Sequence, residues 1–534
     1  MPTSAETPQR VASPVVADDQ GSPTHRWRFA LAGLIAASTA LGVSEAAAAL
    51  FPGAAPPVTG VGGAFIDVVP TPVKELAIQL FGTADKVVLL GGILAVAAVA
   101  GAVLGIAAAR RFAYGIAGFA AFAALGIVAT LTDPRAGVAG TASAIVVGAV
   151  AGSLALWVLL RAARPRVAAR DVRRPDDPPE FDRRRFLVLV AGTAAVAGAG
   201  GLVGRRADGR AAAVGAIEQV SLPPAADALP PAPAGAALDV PGLSALYTPN
   251  DAFYRIDTAL SVPRVDVATW TLAVDGMVDR PLSLSFADLL DEELVEVDVT
   301  LCCVSNEVGG GLVGNARWLG VPLSRLLERA GVQEGAGQVV GRSVDGFTAG
   351  FPTEIALREE DALVAVGMNG DPLPLEHGFP ARLVVPGLYG YVSATKWLSA
   401  IELTTWEGFD AYWVPRGWDK EGPVKTQSRI DVPAASAQVA AGTVAVAGVA
   451  WAQPRGVERV EVQVDDGQWA AAELADALDV DTWRQWVYRW DAAAGDHTLR
   501  VRATDGDGQT QTEERRPPAP DGASGWHEIR VTVA

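Results

Sequence analysis

Residues 295–306 read Val-Glu-Val-Asp-Val-Thr-Leu-Cys-Cys-Val-Ser-Asn and run through Glu307 and Val308 into Gly309, Gly310 and Gly311. Val295, Val297, Val299, Leu301 and Cys303 recur at every second position, with Glu296, Asp298, Thr300 and Cys302 between them. That period is the signature of a strand with one apolar face. By this parity the two cysteines point to opposite faces, and Cys303 closes the strand beside a glycine-rich loop. Glycine lets backbone approach a ligand closely, so a thiol in this place can meet one. Taken alone, a cysteine is more often a small core residue. Adjacent Cα atoms lie about 3.8 Å apart, below the usual span of a disulfide, so a Cys302–Cys303 bridge would be strained.

Outward from this strand, residues 242–425 mix short strands and helices in irregular order, which predicts an α+β domain. Trp270, Leu272 and Val274 alternate before the turn pair Asp275-Gly276. Residues 282–290 read as a short helix, 322–330 as an amphipathic helix closed by Gly331, and 383–385 as a buried strand ended by Pro386-Gly387. From 426 to 534 the pattern is all β. Val460, Val462 and Val464 alternate into Asp465-Asp466-Gly467, and Leu499, Val501 and Ala503 into Asp505-Gly506. Short strands at such spacing predict a β-sandwich. Residues 205–241, rich in Ala and Pro, predict a semi-rigid extended linker that holds a globular head off a bilayer.

Two more segments carry candidate chemistry. His377-Gly378-Phe379-Pro380-Ala381-Arg382 precedes the 383–385 strand, and Ser393-Ala394-Thr395-Lys396-Trp397 follows it. A guanidinium, an ammonium, an imidazole and two hydroxyls around one strand suit a phosphate-bearing heterocycle; a basic surface patch has the same spacing. The polar and aromatic run 248–255 contains Asn250, Tyr254 and Arg255. It reads as a binding loop or as turn chemistry.

The chain has 534 residues, half of them hydrophobic, a mean hydropathy of +0.26 and yet a formal charge of −17. The charge is uneven. Residues 1–204 hold 17 basic and 13 acidic side chains, the remainder 26 and 47. An acidic soluble half excludes nucleic acid as a partner, since phosphate repels it. Two cysteines exclude a disulfide scaffold and a cysteine-based zinc site.

The apolar half, 27–204 after a tail at 1–26, predicts about five transmembrane helices in an all-α bundle. They fall at 27–50, 87–109, 112–131, 138–160 and 186–204, each near the roughly 20 residues a bilayer needs. Glu45 makes the first the weakest. The interrupted stretch 65–81 reads as interfacial or re-entrant. Arg26 and Arg28, Arg110 and Arg111, and nine arginines from Arg161 to Arg185 flank alternate spans. The positive-inside rule then places the N-terminus inside and everything after Gly204 outside, in a multi-pass protein of a bacterial cell membrane. Arg183-Arg184-Arg185 before Phe186 resembles a twin-arginine export signal; an ordinary basic flank reads the same. No histidine lies within the spans and no Cys-x-x-Cys-His occurs, so no haem is expected.

Taken together, Phe253-Tyr254-Arg255, TLCCVSN at 300–306, NARWLGVPL at 315–323, NGDPLPLEHGFPAR at 369–382 and Lys396-Trp397 resemble the sulfite oxidase and periplasmic methionine sulfoxide reductase superfamily. The 426–534 region resembles the immunoglobulin-like domain that follows the catalytic domain in sulfite oxidases. The resemblance implies a molybdopterin-dependent oxidoreductase, with one molybdenum held by a molybdopterin and the Cys303 thiolate, which makes Cys303 metal ligand and catalytic residue in one. It implies that Arg255, His377, Arg382 and Lys396 hold the pterin and its phosphate, with Asn250, Tyr254 and Ser393 as further cofactor-binding candidates. Where sulfite oxidases place an arginine after the Cys-x-x-Asn phrase, Glu307 and Val308 stand. An acid there argues by sign against an anionic substrate. The expected function is therefore two-electron oxygen-atom transfer on a small S- or N-containing molecule. A sulfite dehydrogenase and a non-catalytic tethered binding module remain as alternatives. Membrane lipid and a separate electron carrier or quinone-linked protein are the expected partners, and the sandwich leaves room for a homodimer through the C-terminal domain.

Overall fold

In the computed structural model, which describes residues 23–51, 54, 56–69, 73, 80, 85–130, 137–164, 182–207, 217, 219–358 and 361–534, the chain divides into two units, Met1–Asp208 and Gly209–Ala534. The first holds helices α1 (Pro23–Ala48), α2 (Pro57–Val68), α3 (Asp85–Arg110), α4 (Phe112–Thr130), α5 (Val138–Ala163) and α6 (Arg183–Ala207). All but α2 are long and apolar enough to cross a membrane. Helix α1 packs on α3, α5 and α6, and small residues set how closely. A Cβ on Gly33 would stand 2.1 Å from the Gly101 carbonyl oxygen of α3, and one on Gly42 2.2 Å from that of Ala197 in α6. Backbones touch where side chains are missing.

Glu45 Oε1 accepts a hydrogen bond from the Val58 N–H at 3.1 Å. The acid in the first span thus satisfies a donor in the first turn of α2. Of the stretch 65–81, only its start in α2 and two single residues are described. Residues 1–22, the core of the arginine-rich loop at 165–181, and 208–216 also lie outside the described residues.

The second unit begins differently from the expected spacer. From residue 219 the Ala/Pro-rich chain is laid along the body. Ala226 N–H donates to Leu294 O at 2.8 Å, Asp227 bridges Val295, and the Leu229 N–H reaches Glu296 Oε2 at 3.0 Å. Farther on, Leu238 N–H donates to Gln485 Oε1 at 2.7 Å. The cause is the open edge of a strand, whose backbone groups need partners that composition does not reveal.

That edge belongs to a sheet of β3 (Val295–Cys302), β4 (Val313–Pro322), β7 (Leu363–Met368) and β8 (Asp371–Pro372), with β9 (Arg382–Val384) also on β7. A second sheet orders β2 (Leu282–Ser285), β1 (Thr271–Gly276), β10 (Leu398–Thr404), β5 (Gln338–Ser343) and β6 (Thr348–Pro352), with β1 and β10 parallel. The stretch 282–290, read as one helix, is strand β2 followed by helix α7 (Phe286–Leu290). Ser285 and Asp288 form a capping box at the junction, which starts the helix four residues late. Helix α8 (Leu323–Ala330) ends on Gly331 at φ +72°.

The C-terminal part is two packed sheets. One orders β11 (Gln427–Val432), β13 (Gly442–Trp451), β17 (Arg484–Ala492) and β16 (Glu473–Leu474). The other orders β12 (Gln438–Val439), β19 (His527–Val533), β18 (Gly495–Asp505), β14 (Val457–Val464) and β15 (Ala470–Ala471). Val446, Val460, Trp486, Leu499 and Ile529 fill the space between them.

The polar face of β3 is not solvated. Asp298 pairs with Arg317 at 2.9 Å, and Thr300 Oγ1 accepts from the Trp483 N–H of the sandwich at 2.7 Å. Strand β3 is thus clasped between the α+β core and the sandwich. Its end carries the cysteines.

Candidate cofactor site

Cys303 follows the last residue of β3. Its N–H donates to Leu312 O at 2.9 Å, its carbonyl accepts from the Asn306 N–H at 3.0 Å, and Asn306 Oδ1 accepts from the Leu312 N–H at 2.8 Å. Three bonds close the neck of a loop that begins at the thiol. Both cysteines are free and buried, Cys302 at 2% exposure and Cys303 at 7%. The Cys302 Sγ donates weakly to the Cys303 carbonyl at 3.5 Å. Burial pushes the Cys303 thiol up, while Ser305 and the Lys396 ammonium pull against it.

Around this thiol the structure gathers groups from four segments. His377 lies in the turn after β8, and its Nε2 is 2.8 Å from the Asn250 carbonyl oxygen. Burial pushes its pKa down to about 4, helped by Arg382 and Lys396. The imidazole is therefore neutral, with Nε2–H donating and Nδ1 left as an acceptor. Asn250 is anchored in turn, its Nδ2 donating to Met368 O at 3.2 Å.

Arg382 opens β9 and is buried, its Nη1 donating to His377 O at 3.1 Å and its guanidinium lying 5.1 Å from the Trp318 ring. Burial drives its pKa down to about 10. Lys396, just before β10, donates to Asp257 Oδ2 at 2.8 Å and to Glu376 O at 3.1 Å. Burial lowers its pKa to about 8, with Asp257 pulling it back. Tyr254 stacks on Phe253 at 5.2 Å, and its hydroxyl is pushed well up by burial and by both cysteines.

Each of these groups feels its neighbours: Cys303 feels Lys396, Tyr254 feels Cys303 and Arg382, and His377 feels both cations. The structure thus brings together Cys303, Tyr254, His377, Arg382 and Lys396. Arg255 stands at the rim, 38% exposed and paired with Asp257 at 2.9 Å. Ser393 is buried, but its hydroxyl donates to the carbonyl of Tyr389, the residue before its own helix α9 (Gly390–Ser393), at 3.2 Å, so its one proton is engaged.

Residue patterns alone missed Asp257, which holds Arg255 and Lys396 together, and Trp318, which underlies Arg382. The signal for Asp257 was present as an acid two positions after Arg255. Trp318 lies inside a quoted phrase, yet only the packing of β4 against β9 and the 248–255 run gives it a role.

The arrangement suits a large anionic heterocycle with a soft metal. Arg382 is a buried cation bonded to the carbonyl oxygens of His377 and Leu383. A charge so placed gains from an anion. Burial raises the Cys303 pKa and the Lys396 charge opposes that rise, so a soft metal would bind the sulfur as thiolate with release of its proton.

The family described as oxidoreductase molybdopterin binding domain matches residues 259–413, and that described as bacterial Ig domain matches residues 427–501. The chain is 38% identical over 157 residues to the oxidoreductase YuiH of Bacillus subtilis, covering 29% of this chain and 76% of that protein. It is 31% identical over 340 residues to mitochondrial sulfite oxidase of Homo sapiens, covering 54% of this chain and 62% of that one. With sulfite oxidase of Arabidopsis thaliana the identity is 30% over 279 residues, 43% of this chain and 70% of that protein. The family match over 259–413 defines the α+β domain as a molybdopterin-binding oxidoreductase domain. The chain belongs to the sulfite oxidase-like molybdopterin oxidoreductase superfamily, and membership brings with it a molybdenum–molybdopterin cofactor. It spans 62% of the length of the human sulfite oxidase it matches.

Proposed function

We propose that this chain is a membrane-anchored, extracytoplasmic molybdenum oxidoreductase that transfers an oxygen atom to or from a small S- or N-containing substrate. The observation that carries the reading is the convergence of buried Cys303 with Arg382, Lys396 and neutral His377. Cys303 is assigned as the protein ligand of the metal. Arg255, Arg382 and Lys396 hold phosphate and pterin charge, and His377 Nδ1 accepts from a ring N–H. Asn250 fixes that imidazole through its carbonyl, and Tyr254 walls the pocket. Ser393 is left to accept. When bound, the cofactor supplies a two-electron redox centre able to exchange an oxo group. Reducing an oxide consumes two electrons and two protons and releases the reduced compound and water; oxidation runs the reverse.

Glu307 supports a neutral or cationic substrate. It is exposed in the loop behind Cys303, where a carboxylate opposes an incoming anion. The five long apolar helices support the anchor, and the arginine distribution supports an extracytoplasmic head. Electrons come from a separate carrier or a quinone-linked protein. The domain limits 27–204, 205–241, 242–425 and 426–534, and a homodimer through the sandwich, belong to the same proposal.

A panel of S- and N-oxides assayed with a reduced viologen dye tests the reading. Turnover of a neutral oxide, with little sulfite-dependent reduction of an artificial acceptor, is expected. Fast sulfite oxidation would mean that Glu307 does not exclude the anion, and inertness toward every compound in protein loaded with molybdenum would favour the binding module.

A further inference from the structure

The outer face of the cysteine loop is made by the C-terminal sandwich. Arg429 of β11, only 12% exposed, donates from Nη1 to the Gly310 carbonyl at 2.9 Å, from Nη2 to Ser244 Oγ at 2.9 Å and from Nε to Asp431 Oδ1 at 2.6 Å. With every nitrogen of the fork engaged, the guanidinium is fixed in place. His527, the first residue of β19, accepts the Ile430 N–H on Nδ1 at 3.0 Å, so the residue after Arg429 ties the two strands together. The His527 ring lies over Gly309. A Cβ on that glycine would stand 2.2 Å from His527 Cδ2, and the glycine itself has φ +79°. Asn306 and Leu312 close the loop from within; Arg429 and His527 close it from without.

We infer that Arg429 and His527 are positioning residues for the loop that begins at Cys303. They clamp Gly309 and Gly310 from the sandwich side and thereby fix the Cys303 thiol and the Glu307 rim. The sandwich is then a working part of the site, not an appended module. The inference rests on the reading of Cys303 as metal ligand.

Hydrogen exchange read by mass spectrometry on the full chain, cofactor-free and loaded, tests it. Arg429→Ala and His527→Ala are each expected to raise exchange over 304–312 about ten-fold in the cofactor-free protein. Strands β13 and β17 should stay within about two-fold of the parent. Arg429→Lys, which keeps the charge without the fork, should restore only part of the protection. In loaded protein, the EPR g-values of one-electron-reduced molybdenum should shift in Arg429→Ala while metal content holds. Unchanged loop exchange in both alanine variants overturns the inference, as does an equal rise across loop and sandwich, which marks a general loss of fold. If instead Cys303→Ser keeps its molybdenum while Arg429→Ala still frees the loop, the clamp stands and the ligand assignment falls.

Discussion

The Asp257 carboxylate lies 2.8 Å from the Lys396 ammonium, with the side chains only 4% and 10% exposed. Asp257 also accepts from Arg255 Nε, so one buried acid serves two cations of the candidate cofactor site. Removing one partner of a buried pair leaves the other charge uncompensated, at a cost of about 3–5 kcal/mol. Asp257→Ala should therefore destabilise the cofactor-free protein by about 3 kcal/mol in denaturant titration. An anionic cofactor beside Lys396 takes over part of the compensation, so the loss should be smaller in loaded protein. Equal losses in both forms would separate this pair from cofactor binding.

Gly314 in β4 has no room for a side chain, since a Cβ there would meet the Phe253 ring at 2.8 Å. Phe253 in turn stacks on Tyr254 at 5.2 Å and meets the His377 ring edge-on at 5.6 Å. Gly314→Ala should displace this aromatic group and lower molybdenum retention several-fold. Gly311→Ala, with nothing within 4 Å of the new methyl, is the control expected to stay near the parent. Metal analysis after gel filtration reads both.

Burial and the Arg429 guanidinium hold the His527 pKa down at about 4, with Asp431 pulling up and Arg515 down. The unfolded chain takes up this proton near 6.5 while the folded chain refuses it until about 4. The contribution is thus whole above pH 6.5, declines as pH falls through the window from 6.5 to about 4, and levels off below it. Denaturation midpoints at about pH 7 and about pH 5 should show a fall that His527→Phe reduces by about 1–2 kcal/mol. An identical fall in the variant removes His527 from the account.

Much of this was legible in residue patterns because each local signal agreed with the packing. The period-two run that ends on Cys303 forms strand β3 up to Cys302, and the apolar runs of α1 and α3–α6 are long enough to read without tertiary information. What stayed hidden depends on distant partners. The Ala/Pro-rich chain after 219 lies on the β3 edge because that edge is open, a fact of sheet order. Asp298 and Thr300 alternate like solvent-facing residues, yet Arg317 and the Trp483 N–H bury them. The helix expected at 282–290 failed on a rule that was available, since Ser285 with Asp288 marks a helix start. At the site, cationic residues near the 383–385 strand were visible, while Asp257, which ties two of them, needed the fold.

The topology has its own test. Asp507 is exposed in the turn after β18, and Arg111 is exposed between α3 and α4. In intact cells a membrane-impermeant thiol reagent should label Asp507→Cys and leave Arg111→Cys untouched until the membrane is opened. The opposite pattern would place the catalytic unit inside.

The central claim is that Cys303, and not its neighbour, is the protein's bond to molybdenum. Metal analysis of Cys303→Ser and Cys302→Ser, made in a host that synthesises the cofactor, tests it directly. The account predicts near-stoichiometric molybdenum in Cys302→Ser and its loss in Cys303→Ser, with both proteins folded. Molybdenum retained in Cys303→Ser, or absent from the parent protein itself, would contradict it.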